Sequence, residues 1–335
     1  MNNYELWKER FFQDYLAEDG RTYGKALRLK EKNLPPSLFR YRSWNECTLE
    51  EIRSDTIFLS PLDGFNDIFD SWVGCSLDGL TGVSRMMAGN MMPNPGLFKK
   101  ELNRIIDTID PKQKFKSMLF DLGGKEPESR FETLTLETDK NAAELEENLN
   151  RIIRTMARIA CFTTKPVNMP MWYHYAKGGA VPAGTGTGMD TSNDYAGLCL
   201  EYDMTQADRI PAVIENILPV NYQSRMPDMM MILKKHPSQV LKYAATLKDK
   251  DWAYEDEWRL IMSLGDFYRS PEEIPEDAWT NGIKYQFLPV KAVYMGDQID
   301  PGNREILKRT ADEKGFKLYQ MKAVRGRYVP EQVCP

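Results

Sequence analysis

Residues 38–60 read L-F-R-Y-R-S-W-N-E-C-T-L-E-E-I-R-S-D-T-I-F-L-S, and this stretch decides the fold class. Leu38 to Ser43 reads as a strand, with Arg40 and Arg42 one strand period apart and therefore on one face. Thr48, followed three residues on by Glu51, has the pattern of a capping box that opens a short helix ending near Arg53. Thr56 to Ser60 reads as a second strand. A strand, a helix and a strand within 23 residues require a sheet with a helix packed on it.

Outward toward the N-terminus, the first thirty residues read as helix. Tyr4, Trp7, Phe11 and Tyr15 recur at spacings of three and four, and Phe12 and Leu16 widen the stripe. Pro35-Pro36 ends it. In the other direction, residues 78–158 read as a helical insertion, opened by Met86, Met87, Met91 and Met92 with Pro93 and Pro95. Its clearest helix is 139–159, where Leu145, Leu149, Ile152, Ile153 and Met156 form one apolar stripe. The strand Ala160 to Thr163 follows. Further strands are expected at 197–202, 218–222, 257–263, 285–288, 292–295 and 316–321. A helix should begin at Pro301 and stop at Gly315, the usual proline-start and glycine-stop asymmetry. The expectation is an α+β protein with a mixed central sheet and flanking helices, folded as a single domain over 1–335. It comprises an N-terminal helical segment (1–34), an α/β core (35–77 and 159–325) and the insertion 78–158.

The 335 residues are 42% hydrophobic and 28% charged, enough apolar material for a full core. The formal net charge of −5 supplies no global basic field, so nucleic acid is not an expected partner. No run of about 18 apolar residues exists to span a membrane. The charged, amphipathic start does not read as a secretory signal, so the expected location is the cytoplasm. Five cysteines at long spacings, with no C-x-x-C, argue against a disulfide framework and a zinc site.

Four clusters join polar groups to aromatics. They are L-F-R-Y-R-S at 38–43; S-P-L-D-G-F-N-D-I-F-D at 60–70; C-F-T-T with M-W-Y-H-Y-A across 161–176; and W-A-Y-E-D-E-W-R-L-I at 252–261. Together and in this order they resemble a bacterial family, domain of unknown function 2971. That resemblance rests on Arg40-Tyr41-Arg42, on Phe65 to Asp70, on Met171 to Ala176 and on Tyr254 to Arg259. Ile68 stands where that family has proline, and residues 178–195 are inserted before G-L-C-L-E-Y at 197–202. The family carries no assigned activity.

The order of a basic and aromatic strand, a strand ending in Ser-Pro and a late glutamate also resembles ADP-ribosyltransferases. That resemblance implies an enzyme that binds NAD. Arg42 or Tyr41 would grip the dinucleotide, Ser60 would place nicotinamide, and Glu257 would hydrogen-bond the ribose and face the oxocarbenium-like transition state. Glu255 is expected on the same strand face as Glu257, so the pair could divide acid/base and charge-stabilising roles. Arg40, Asn66, Asp67, Trp172, Tyr175 and Arg259 complete the candidate substrate site, with His174 as a further acid/base.

Each candidate has a plainer reading. Glu255, Glu257 and Arg259 could be an ion-pair ladder facing Arg40 and Arg42 within one sheet, because buried charges must be paired in any case. Asn66, Asp67 and Asp70 could cap a turn rather than hold magnesium. His174 could be a buried, hydrogen-bonded core histidine, and Trp172 and Tyr175 core aromatics. Gly178 to Gly188 reads as a loop or lid, not a P-loop. Two other functions stand beside the transferase. One is a non-catalytic nucleotide- or protein-binding module in stress or phage defence. The other is a metal-dependent phosphodiesterase built on Asp67, Asp70 and Glu201.

Overall fold

The computed structural model describes residues 3–17, 19–65, 67, 69–74, 146–147, 150–178, 194–227, 239–269 and 273–334. Most of the expected insertion and the whole of 179–193 lie outside these, as do Asn66, Met229 to Met231 and His236.

The N-terminal stripe forms two helices rather than one, α1 (Asn3–Tyr15) and α2 (Gly20–Asn33). Asp19 divides them, because its carboxylate accepts from Thr22 N at 2.8 Å and caps α2. Then come β1 (Ser37–Arg42), α3 (Glu46–Ser54) and β2 (Thr56–Leu59), the unit read from residues 38–60. Its helix begins three residues earlier than expected. Asn45 is the cap, accepting from Thr48 N at 2.8 Å, while Glu51 turns inward to the arginines of β1. Residues 150–156 are helical and lead into β3 (Ala157–Thr163).

The later elements are α4 (Met169–Tyr175), β4 (Leu198–Asp203), α5 (Pro211–Asn216), β5 (Ile217–Pro219), β6 (Asn221–Gln223), α6 (Val240–Ala244) and β7 (Leu247–Asp249). They continue with β8 (Glu257–Ser263), β9 (Ile283–Gln286), β10 (Val290–Met295), α7 (Pro301–Lys314), β11 (Lys317–Val324) and β12 (Arg327–Cys334). Eight strands form one sheet in the order β12-β11-β10-β4-β1-β3-β8-β5. Its neighbours are antiparallel except β10 and β11, which are parallel and joined by α7, so the sheet is mixed and the class is α+β. Asp300 caps α7, Pro301 opens it, and Gly315 ends it in the left-handed region at φ 77°, as the sequence predicts.

Three expectations are corrected. The strand expected at 218–222 splits: β5 pairs with β8 in the main sheet, whereas β6 pairs with β7 in a small separate ladder. The strand expected at 285–288 lies earlier, as β9, and pairs with β2 outside the main sheet. The core also continues past 325, because Arg325 and Gly326 (φ 48° and 75°) make a tight turn that folds β12 back on β11.

Strand alternation gives the sheet two buried faces. On one, Leu38, Phe162, Leu200, Trp258, Leu260 and Val293 pack with Ile52 of α3 and Leu307 of α7. Each fully buried side chain of this size contributes roughly 1.5–3 kcal/mol. On the other face, Ile159 and Ile261 meet Phe11 of α1, and Phe39, Tyr41 and Cys199 meet Trp172 of α4. Gly197, at the start of β4, lies where a Cβ would come within 2.5 Å of the Arg42 carbonyl oxygen, so only glycine fits this backbone crossing.

Candidate functional site

β8 places Glu257, Arg259 and Ile261 on the α1 side of the sheet and Trp258, Leu260 and Met262 on the other. Glu255 is not on this strand. It ends the turn Lys250–Glu255, and Asp256, in the left-handed region at φ 46°, separates it from β8. The two glutamates therefore meet through a third group that the sequence reading did not single out, Lys248 of β7. Its Nζ lies 2.5 Å from Glu255 Oε2, 3.1 Å from Glu257 Oε2 and 3.6 Å from Asp70 Oδ2.

Arg259, with no solvent exposure, closes the network. It donates to Glu257 Oε1 (2.9 Å) and Oε2 (3.0 Å), to both oxygens of Asp70 (2.7 Å each), to Ser71 Oγ and to the Ala245 carbonyl. Its planar fork matches two carboxylates at once. Tyr175 donates to Glu255 Oε1 at 2.8 Å, and Lys248 Nζ lies 5.1 Å from the Trp252 ring centre. Trp252 in turn packs 6.0 Å from Tyr254. These three aromatics are half-buried, whereas the charged groups beneath them are buried.

The network contains three carboxylates and two cations. Burial and the neighbouring Glu257 raise the pKa of Glu255, with Lys248 and Tyr175 only partly offsetting them. Burial also works against charge on Glu257, but Arg259 and Lys248 outweigh it and hold that carboxyl at about 2. Burial and Glu257 raise the thiol of Cys161, so it is no nucleophile. The two glutamates are thus pushed apart, Glu255 toward holding its proton and Glu257 toward carrying charge.

The arginines of β1 are elsewhere. Arg40 and Arg42 point to the opposite face, where Arg42 Nη2 binds Glu51 Oε1 at 2.9 Å and Arg40 Nη2 donates to the Phe58 carbonyl at 2.9 Å. The ladder expected between them and Glu255 and Glu257 does not form. Strand alternation puts Arg42 and Glu257 on different sides of the sheet, and Ser60 is held by its backbone against Ile159 (2.8 Å in both directions). Arg42, Ser60 and Glu257 thus do not line one cleft, and as a set they do not fit a dinucleotide. Tyr41 does share the Glu257 face, but its hydroxyl is engaged with the Lys165 carbonyl (3.0 Å) and the Asn168 amide (3.1 Å).

Trp172 is fully buried against Tyr41 and Tyr328, a core residue. His174 is exposed rather than buried, its ring edge-on to Tyr173, because its position on α4 faces away from the sheet. Asp67 accepts from Phe69 N at 2.9 Å, the capping-turn reading, and Asp70 is consumed by Arg259. Glu201 lies apart from both, bonded to Ser37, Lys291 and Tyr294. Among the described residues no group of acids, histidines and cysteines could hold a metal, so the phosphodiesterase set does not converge. Among them, too, no helix is long and apolar enough to cross a membrane.

Comparison with protein-family models, with curated proteins and with solved structures finds no match to this chain.

Proposed function

We propose that the protein is an enzyme acting at the glycosidic carbon of a nucleotide, with Glu255 as the acting carboxylate and Glu257 as a fixed negative charge behind it. What carries this reading is the Lys248 bridge, which holds two carboxylates of opposed protonation tendency beneath the half-buried Tyr175, Trp252 and Tyr254. Neighbouring acids whose environments push their titrations apart are the arrangement that acid/base and charge-stabilising roles require. The aromatics above would stack a planar base or pyridine ring, Glu255 would hydrogen-bond the ribose, and the Glu257 carboxylate behind it would stabilise the positive charge that develops there. NAD, consumed as a substrate, is the first compound to test.

A second reading, a non-catalytic nucleotide- or protein-binding module, is favoured by one observation. Every carboxylate oxygen of Asp70, Glu255 and Glu257 already has a donor or cation beside it, as in a purely structural network. Nicotinamide release, comparing wild type with Glu255→Gln, separates the two. Release that disappears in the folded variant supports the enzyme. No release from NAD or from a nucleoside panel, with no thermal shift from any of them, overturns it in favour of the module.

A further inference from the structure

On the face of the sheet opposite Glu257, β1, α3 and β4 enclose a second charged cluster of Arg40, Arg42, Glu51 and Tyr202. Arg40, Glu51 and Tyr202 are 6%, 4% and 1% exposed. Its charge balance is the inverse of the first, with two guanidiniums against one carboxylate. Four buried atoms in it lack a hydrogen-bond partner among the described residues: Arg40 Nη1, Arg42 Nε, Glu51 Oε2 and the Tyr202 hydroxyl. Glu51 Oε2 is held as an ion pair 3.6 Å from Arg40 Nη1, which leaves Arg42 Nε and Tyr202 OH, with the remaining capacity of Arg40 Nη1, as unused donors. The groups sense one another. Burial and then Arg40 disfavour charge on Arg42, while Glu51 and Tyr202 favour it.

A carboxylate surplus can be removed by binding a proton. A guanidinium surplus cannot be removed by losing one, because arginine stays protonated in proteins. An uncompensated buried charge is strongly destabilising. Among the described residues Glu51 is the one carboxylate within ion-pair distance of either guanidinium, so the cluster has room for a further counter-charge.

We infer that this cluster binds a small monovalent inorganic anion of halide size, held by Arg40 Nη1, Arg42 Nε and the Tyr202 hydroxyl. The burial of these groups argues for a small ion rather than a phosphate ester, and entry is from the side of Arg42, whose side chain is 22% exposed. The anion ties β1, β4 and α3 together and has no role in the chemistry proposed for Glu255.

The test is the thermal midpoint of the full chain in sodium chloride against sodium gluconate at equal ionic strength, together with crystals grown in sodium bromide. Chloride should raise the midpoint by an amount on the order of 1–3 °C. Tyr202→Phe, which keeps the ring and removes one donor, should lose most of that difference. Bromide should give an anomalous peak among the three donors. Equal midpoints in the two salts, or a chloride effect undiminished in Tyr202→Phe, overturn the inference. So does ordered water in place of the peak. Bromide bound without any effect on the midpoint marks an adventitious ion only and also overturns it. If Tyr202→Phe does not fold, the salt comparison and the bromide crystals of the wild type decide.

Discussion

The two faces of one sheet solve the same problem differently. On the α1 side, Asp70, Glu255 and Glu257 surround Lys248 and Arg259, and every acid oxygen finds a donor or a cation. On the α3 side, Arg40 and Arg42 share Glu51, and Arg42 Nε and the Tyr202 hydroxyl have no partner among the described residues. Both clusters are buried and both carry one surplus charge. The difference lies in the sign, because a surplus carboxylate can accept a proton and a surplus guanidinium cannot give one up. Two clusters that look alike as strings of charged letters therefore have different chemical needs.

The largest effect is expected from Arg259→Met. It leaves Lys248 as the one cation beside three buried acids and should cost about 3–5 kcal/mol in denaturant unfolding. A loss near zero would mean that the first cluster is not the closed network described here. Glu51→Gln should cost less, about 2 kcal/mol, because Arg42 keeps some contact with water. Its loss should be greater in gluconate than in chloride, and an equal loss in both salts would erase the contrast between the faces.

The smallest stability change is expected from Glu255→Gln, within about 1 kcal/mol at neutral pH, because the amide keeps the shape of the carboxyl and can still accept from Tyr175. Its signature is the pH profile. The folded pKa of Glu255 lies above its ordinary value, so its contribution is present at low pH and lost as pH rises through the raised value. Glu257 runs the other way. Its contribution is present above the ordinary 4.5 and lost as pH falls toward about 2. Glu255→Gln should flatten the decline on the alkaline side and leave the acid loss intact. A variant profile parallel to wild type throughout would show that Glu255 is not the proton carrier.

Local chemistry made much of the fold legible. The alternation in β1 and β8, the proline and glycine that bound α7, and the helix–strand switch near residue 157 can all be read within a few residues. Local reading failed where a partner distant in sequence decided the outcome. Glu51 was legible as a capping residue, but its actual partners are Arg40 and Arg42 across the β1–α3 packing. Residues 218–222 read as one strand because nothing local says that β8 takes the first part and β7 the second. In the candidate site, Glu255, Glu257, Arg259 and Tyr175 were legible as charges and aromatics in conspicuous motifs. Lys248 was not, since a lone lysine between Leu247 and Asp249 carries no signal until β7 brings it beside them.

The sequence by itself determined that this chain is a mixed α+β protein, where most of the central strands lie, and which motifs concentrate charged and aromatic residues. Those are properties of periodicity and of residues within one turn or one strand period. The tertiary structure decided which charges face one another. The sign of strand alternation sends Arg42 and Glu257 to opposite sides of the sheet, and segments nearly two hundred residues apart meet at Arg259 and Asp70. Pairing across a sheet depends on register and on layer, and neither is written in the spacing of residues along the chain.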